Sequence, residues 1–157
     1  MGIPKSVVKI KKNGVEYISN VDKCQYYLFE LSRAALRDVG KFCTRRFREM
    51  FYSTFKRRTG KAGRVTRYKV YSNKNTKYPR LEIGLPHASK GNEVEGFYAY
   101  FQEVGSSKQP KLAILTKTVQ SNVAEIVKIE SRYLSALESE ARVQQLISEK
   151  EYGDEDE

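Results

Sequence analysis

The sequence contains no tryptophan, one histidine and two cysteines among its 157 residues. A zinc site is built from about four clustered Cys and His ligands, and Cys24, Cys43 and His87 are too few to supply them. We therefore predict no metal site, and we expect both cysteines to be small buried thiols in a reducing compartment. No apolar run reaches the roughly 18 residues that a transmembrane helix needs, so we predict no membrane partner.

The sequence also lacks the patterns of common catalytic sites. The glycine and lysine of segment 57–64, RRTGKAGR, do not match the phosphate-binding loop G-x-x-x-x-G-K-[ST], and this segment follows a predicted helix where such a loop precedes one. No serine lies in a G-x-S-x-G pattern, and Glu93, Glu95 and Glu103 are not paired at a spacing that suits general acid and base roles. We predict that the protein is not an enzyme and has no catalytic residue and no cofactor.

Charge is abundant but unevenly distributed along the chain. The net charge is +10, and residues 1–80 hold 21 Lys and Arg against 5 Asp and Glu, a balance of +16. Residues 81–157 hold 8 against 14, a balance of −6. This division suits contact with a polyanion, and it equally suits head-to-tail contact between the basic and acidic parts of identical subunits.

The first part of the chain is predicted to form a hairpin and a helix. Residues 6–18 read as a β-hairpin in which Asn13-Gly14 offers a type I′ turn. Apolar residues then recur every three or four positions over 22–56, which predicts a long amphipathic helix with a basic stripe on its other side. Segment 57–64 ends this helix.

The second part is predicted to form another hairpin and another helix. Residues 65–72 and 80–86 alternate as two strands of a β-hairpin. The aromatic segment 97–107 fits a short strand and a helical turn equally well. A second long helix is expected to open at Pro110 and to keep its apolar spacing to about residue 148, with a break near Ser131 as the alternative.

Together these elements predict an α+β fold, in which a small antiparallel β-sheet packs against two long α-helices in a single domain. This domain covers residues 1–148, with the hairpin 6–18 at its periphery. The acidic tail, residues 149–157, has almost nothing to bury and is expected to be disordered.

Nucleic-acid binding is one interpretation of the basic half. The basic stripe of the first helix continues into segment 57–64 and the following strand, and tyrosines lie among these cations. Such a surface would bind phosphate backbones in a salt-dependent manner. No known RNA- or DNA-binding motif is recognisable, so this hypothesis describes a monomeric, sequence-nonspecific nucleic-acid-binding protein that uses the basic helix and loop.

Three short motifs in a fixed order suggest another interpretation. A long helix runs into Arg58-Thr59-Gly60 before a β-hairpin, and Tyr98-Ala99 with Glu103, Gly105 and Ser106 then precedes Pro110 and a long helix. Over roughly residues 25–148 this order resembles the head–tail joining, or tail-completion, proteins in the neck of long-tailed bacteriophages. Ser106 stands where that family usually has threonine, and either residue can offer a hydroxyl group to a turn.

The resemblance implies a structural virion protein that completes the tail and joins it to the head. It implies a homo-oligomeric ring around the DNA channel, a hexamer with a dodecamer as the alternative. The expected partners are neighbouring neck, portal-side and tail proteins, together with the DNA that passes through the lumen. The expected location is the virion neck, reached from the host cytoplasm during assembly.

The candidate contact residues follow from these motifs. The basic segment would touch a neighbouring subunit or DNA, the glycines would supply backbone angles that other residues resist, and Glu103 would pair with a basic residue or remain a surface carboxylate. The candidate set is Arg57, Arg58, Thr59, Gly60, Lys61, Arg64, Glu103, Gly105 and Ser106.

Overall fold

A computed structural model describes residues 3–5, 7–12, 15–55, 66–72, 78–85 and 97–151. Within these ranges the chain forms four strands and five α-helices. The strands are β1 (Val7–Lys12), β2 (Val15–Ser19), β3 (Arg67–Tyr71) and β4 (Arg80–Gly84). The helices are α1 (Val21–Thr54), α2 (Phe97–Val104), α3 (Ile114–Ser121), α4 (Val123–Ser135) and α5 (Glu140–Glu151), with a 3₁₀ turn over Ala136–Glu138.

The structure is an α+β arrangement dominated by helices. Both predicted hairpins are present, since β1 pairs with β2 and β3 pairs with β4, each pair antiparallel. In the described part of the chain they form two separate two-stranded sheets instead of one small sheet. The first long helix is also confirmed as α1, and the ambiguous segment 97–107 is helical as far as Val104.

The prediction of one long helix from Pro110 to about residue 148 is wrong. Residues 110–113 are not helical, and three helices with a 3₁₀ turn follow. Asn122, with φ −115°, forms the junction between α3 and α4. Its side-chain amide donates to the Thr118 carbonyl, a local bond that competes with the helical pattern. At the second junction Ser139 is extended, and α5 then runs to Glu151, beyond the predicted start of the acidic tail.

The largest apolar core lies between the first half of α1 and the C-terminal helices. Tyr27, Leu31, Ala34 and Ala35 of α1 pack against α4, the 3₁₀ turn and α5. The partners from those elements are Tyr133, Ala136, Val143 and Leu146. The small side chains of Ala34, Ala35 and Ala136 allow close approach of the helices, which explains why Ala136 is fully buried.

The second hairpin packs against the middle of α1 through a close contact at Gly40. A Cβ atom placed on Gly40 would lie 2.5 Å from Cδ2 of Tyr68 and 3.1 Å from Cδ1 of Leu81. Glycine is unfavourable inside a helix by about 1 kcal/mol relative to alanine. Its presence in α1 is therefore explained by the space that the Tyr68 ring occupies.

A cluster of polar contacts joins the start of α1 to the start of α5. The Lys23 ammonium lies 2.5 Å from Oε1 of Glu140, and the Tyr27 hydroxyl donates to the same oxygen at 3.0 Å. The hydrogen bond from Lys23 holds the pKa of Glu140 below its ordinary value, and the same bond raises the pKa of Lys23. These contacts stabilise the docking of α5, which begins directly after the extended residue Ser139.

The two cysteines differ in exposure. Cys43 is buried, and burial raises the pKa of its thiol, as expected for a structural cysteine. Cys24 is exposed on the first turns of α1, so the prediction of two buried thiols is wrong for this residue. Its neighbours Val21 and Leu28 on the same helix are also exposed, which places Cys24 on the face of α1 turned away from the core.

The buried tyrosine of α4 supplies a prediction on pH. The Tyr133 hydroxyl donates to Oδ2 of Asp38, and burial, followed by this bond, raises the pKa of Tyr133 far above its ordinary value. We expect Tyr133→Phe to lower the free energy of unfolding by about 2 kcal/mol, the scale of a hydrogen bond to a charged group. Chemical denaturation at neutral pH measures this change.

The same contact fixes the direction of the pH effect. Because the folded pKa is raised, the stabilisation is complete below the ordinary tyrosine pKa of about 10 and is lost as the pH rises above it. Wild-type stability should therefore fall at alkaline pH more steeply than that of Tyr133→Phe. Tyr78→Phe is a control because Tyr78 is 70% exposed. An equal fall in the free energy of unfolding at alkaline pH for wild type and Tyr133→Phe would contradict this role of Tyr133.

Candidate functional site

Three of the nine candidate contact residues lie in the part of the chain that the structure describes. Glu103, Gly105 and Ser106 belong to one unit, the end of α2 and the connection that leads to α3. The other six, Arg57, Arg58, Thr59, Gly60, Lys61 and Arg64, lie in 56–65, outside the described residues. The structure therefore shows the motif only at the α2–α3 connection.

Gly105 ends α2 with a left-handed backbone. Its φ angle is +85°, and its N–H donates to the Phe101 carbonyl at 2.7 Å. This bond from the residue after the helix to the helical carbonyl four positions earlier is the left-handed C-cap that favours glycine. A Cβ atom at Gly105 would also lie 3.1 Å from the backbone nitrogen of Lys111. The predicted conformational role of Gly105 is confirmed.

Ser106 opens a tight turn immediately after Gly105. Its N–H donates to the Gln109 carbonyl at 2.9 Å, and the Gln109 N–H donates back at 3.2 Å. The Ser106 hydroxyl accepts a hydrogen bond from the Lys108 N–H at 3.3 Å, so this residue offers its hydroxyl to a turn as expected. The turn reverses the chain and returns Leu112 beside α2, where its N–H donates to the Gln102 carbonyl at 2.9 Å.

Glu103 closes the unit by binding the first turn of α3. Its Oε2 accepts from the Leu115 N–H at 2.7 Å, and its Oε1 accepts from the N–H and the hydroxyl of Thr116 at 3.0 and 2.7 Å. Ala113, which precedes α3 with φ +51°, has no side-chain acceptor to perform this role. Because the first amides of a helix lack intrahelical partners, a carboxylate from a neighbouring helix satisfies them here.

This contact gives Glu103 a role that the sequence did not suggest. Within the described residues its carboxylate binds backbone amides and a hydroxyl group, and pairing with a basic residue of a neighbouring subunit stays a prediction. The sequence carries no signal for the contact with these amides, because an N-cap usually lies within the same helix. Here 12 positions separate Glu103 from Leu115, and only the turn at Ser106 brings them together.

We expect Glu103→Ala to lower the free energy of unfolding by about 1–2 kcal/mol, the scale of a lost N-cap. Glu125→Ala is the matched control, since Glu125 also lies in the first turn of a helix but has no described hydrogen bond to the helix amides. Its removal should cost no more than the helix-dipole contribution of about 0.3–1 kcal/mol. Thermal and urea denaturation measure both changes, and equal losses would contradict the capping role.

The basic stripe of α1 is partly neutralised within the helix. The stripe consists of Arg33, Arg37, Lys41, Arg45 and Arg48. Arg33 lies 3.4 Å from Glu30, and Arg45 lies 3.9 Å from Glu49. Arg48 donates to the Thr66 carbonyl at 3.3 Å and so ties α1 to the start of the second hairpin. The exposed pair of Arg45 and Glu49 contributes little stability, and both pairs reduce the positive charge that α1 offers to a polyanion.

The outward face of the second hairpin carries three cations and one carboxylate. Arg67, Lys69, Arg80 and Glu82 are exposed there, while Tyr68, Val70, Leu81 and Ile83 alternate toward the other side. Two cations flank one tyrosine, since Lys69 Nζ lies 4.9 Å and Arg80 Cζ lies 5.3 Å from the centre of the Tyr71 ring. The nucleic-acid interpretation of the sequence extended the basic surface into this first strand, which holds Arg67 and Lys69, but the set of nine contact residues includes no residue of the hairpin.

The described ranges hold neither a candidate metal cluster nor a candidate membrane span. No three His, Cys, Asp or Glu side chains in them are grouped closely enough to hold a metal ion. None of their helices combines the length and apolar character needed to cross a membrane. Comparison of the chain with protein-family models, curated proteins and solved structures finds no match in any of the three.

Proposed function

We propose that this chain is a non-enzymatic structural subunit of a ring in the neck of a long-tailed bacteriophage, where it completes the tail and joins it to the head. The observation that carries the proposal is the α2–α3 connection. Glu103, Gly105 and Ser106, which belong to the motif that resembles neck proteins, cooperate in one unit. Their spacing therefore has a structural reason, which supports reading them as one motif.

An unpartnered apolar face supports assembly with other copies of the chain. Val123, Val127 and Leu134 are exposed by 52, 52 and 56% along α4, and Leu137 follows at 41%. These four residues are the α4 stripe. Soluble monomers seldom expose contiguous apolar patches larger than a few hundred Å², and Ile129 and Tyr133 on the same helix already pack against α1. We assign the α4 stripe to a contact between subunits.

The charge distribution along the chain also suits contact between copies. Residues 81–157 carry a balance of −6, and residues 1–80 carry +16. A head-to-tail contact brings the acidic part of one subunit to the basic part of the next, and such heterologous contacts close into rings. DNA passes through the lumen of the proposed ring.

Complementation in the phage that carries the gene tests this function. Deletion of the gene should yield DNA-filled heads and free tails that remain separate, and addition of the purified protein to that mixture should restore tailed infectious particles. A variant with the α4 stripe altered should fail to restore them. Normal yields of tailed, infectious particles without the gene would contradict the proposal.

A further inference from the structure

We infer that the outward face of the second hairpin is a binding surface for the phosphodiester backbone of duplex nucleic acid. This basic hairpin face consists of Arg67, Lys69, Tyr71, Arg80 and Glu82, together with Gly84. The inference goes beyond the proposed ring, because it depends only on charges and distances within one chain. A monomer that binds DNA through this face would support the inference and contradict the ring.

The charge of this region is the first argument. The described residues of the hairpin, 66–72 and 78–85, contain three cations, Arg67, Lys69 and Arg80, and one carboxylate, Glu82. Glu82 is the only carboxylate on the basic hairpin face, and its Oε1 lies 2.6 Å from Nη2 of Arg80, with side chains that are 51 and 68% exposed. Because such exposed pairs are weak, Arg80 can exchange this carboxylate for a phosphate, and Arg67 and Lys69 contribute two further positive charges.

The register of the hairpin places these cations in two adjacent rows. Arg67 is opposite Gly84, Lys69 is opposite Glu82 and Tyr71 is opposite Arg80. Alternate residues of a strand lie about 7 Å apart, which is close to the spacing of phosphates along one DNA strand, so neighbouring cations on β3 can reach consecutive phosphates. A surface that contacts the backbone in this way carries no base-reading groups and is independent of sequence.

Two residues shape the surface for a ligand. The Tyr71 ring is flanked by Lys69 and Arg80 at 4.9 and 5.3 Å, so cation–π attraction holds both side chains over the hairpin. Beside Arg67, a Cβ atom placed on Gly84 would have no heavy atom within 4 Å. A glycine in a strand often marks a place where another backbone approaches closely, and here it leaves room for a phosphate next to Arg67.

Fluorescence anisotropy with a short random-sequence DNA duplex tests the inference on the full-length protein. The test variant replaces the three cations of the face: Arg67→Gln, Lys69→Gln and Arg80→Gln. The control removes the same charge from exposed positions elsewhere: Lys108→Gln, Lys117→Gln and Lys128→Gln. Each lost phosphate contact reduces the salt slope of log K by about 0.9, so the test variant should lose up to about 3 in slope. The control should keep the wild-type slope.

Two single variants distinguish binding at this defined surface from attraction by net charge alone. Glu82→Gln should raise DNA affinity several-fold, because it removes the only carboxylate of the face and releases Arg80. Gly84→Leu leaves the charge unchanged but fills the gap beside Arg67, and it should weaken binding about tenfold. An RNA duplex of equal length distinguishes DNA from RNA as the source of the backbone, and binding of either supports the surface.

Three results would overturn the inference. Equal losses for the test and control variants would show that binding follows net charge alone. Unchanged DNA binding by the test variant would remove the face from the contact. Loss of self-association by the test variant, with DNA binding retained, would assign the face to a neighbouring subunit. The oligomeric mass of every variant is measured in parallel, so that failure of the ring and failure of this surface are distinguished.

Discussion

Val127→Glu combined with Leu134→Glu is expected to leave the chain folded but unable to assemble. Both side chains are more than half exposed on α4, so the substitutions should cost the isolated subunit little. In an assembled ring each would place a carboxylate in a contact from which water is excluded, at a cost of several kcal/mol. About 4 kcal/mol per contact corresponds to a thousandfold weaker association, which should convert rings into monomers.

The control for this experiment lies on the same helix. Ala124 and Ser131 are exposed and have the same spacing as Val127 and Leu134, but they lie farther around α4 from the stripe. Ala124→Glu with Ser131→Glu therefore adds the same charge to the same element. Sedimentation velocity and far-UV circular dichroism report assembly and folding. Rings that survive in the stripe variant, or that are lost equally in the control, would contradict the assignment of the stripe.

Gly40→Leu is expected to detach the second hairpin from α1. Its Cβ atom alone would lie 2.5 Å from Cδ2 and 2.7 Å from Cγ of the Tyr68 ring, closer than real Cβ contacts. The hairpin must then move, which exposes more of Tyr68 and Leu81. Full burial of an apolar side chain contributes about 1.5–3 kcal/mol, and each of these two residues loses part of that contribution. The gain from replacing glycine in a helix is only about 1 kcal/mol. The free energy of unfolding should fall by about 3 kcal/mol.

Gly84→Leu is the matched control for that change. Gly84 lies in the same hairpin, and a Cβ atom there would meet no heavy atom within 4 Å, so its stability should change by less than about 1 kcal/mol. A double-mutant cycle with Tyr68→Ala provides the second check, because contacting residues couple by about 0.5–3 kcal/mol. Additive effects of Gly40→Leu and Tyr68→Ala would show that the two residues do not conflict.

The sequence is sufficient to predict the elements whose signals are local. The long α1, both hairpins and the positive φ of Gly105 follow from apolar periodicity, from turn residues and from the conformational freedom of glycine. A break near Ser131 was considered, but the actual divisions of the C-terminal helix were missed. Its apolar spacing continues across Asn122 and the 3₁₀ turn, and both α4 and α5 pack on the same side of α1. A continuous apolar pattern does not distinguish one long helix from consecutive helices on a common surface.

The candidate site, too, was predictable from the sequence only where its signals are local. The motif places Glu103, Gly105 and Ser106 close together in the chain, and the roles of the glycine and the serine are local turn properties. The role of Glu103 depends on how far the turn swings α3 back toward α2, which is a tertiary property. The basic hairpin face was predicted only in part. The nucleic-acid interpretation reached Arg67 and Lys69, which alternate along one strand, but Arg80 joins them only through the register of two strands.

We propose that this chain forms a closed ring through head-to-tail contacts between its copies. Native mass spectrometry of the purified full-length protein over a range of concentrations, with negative-stain images of the same samples, tests it most directly. We predict one dominant oligomer of defined subunit number and ring-shaped particles with a central channel. A mass of one subunit at every concentration, with no ring in any image and no copy of the chain in purified virions, would contradict the account.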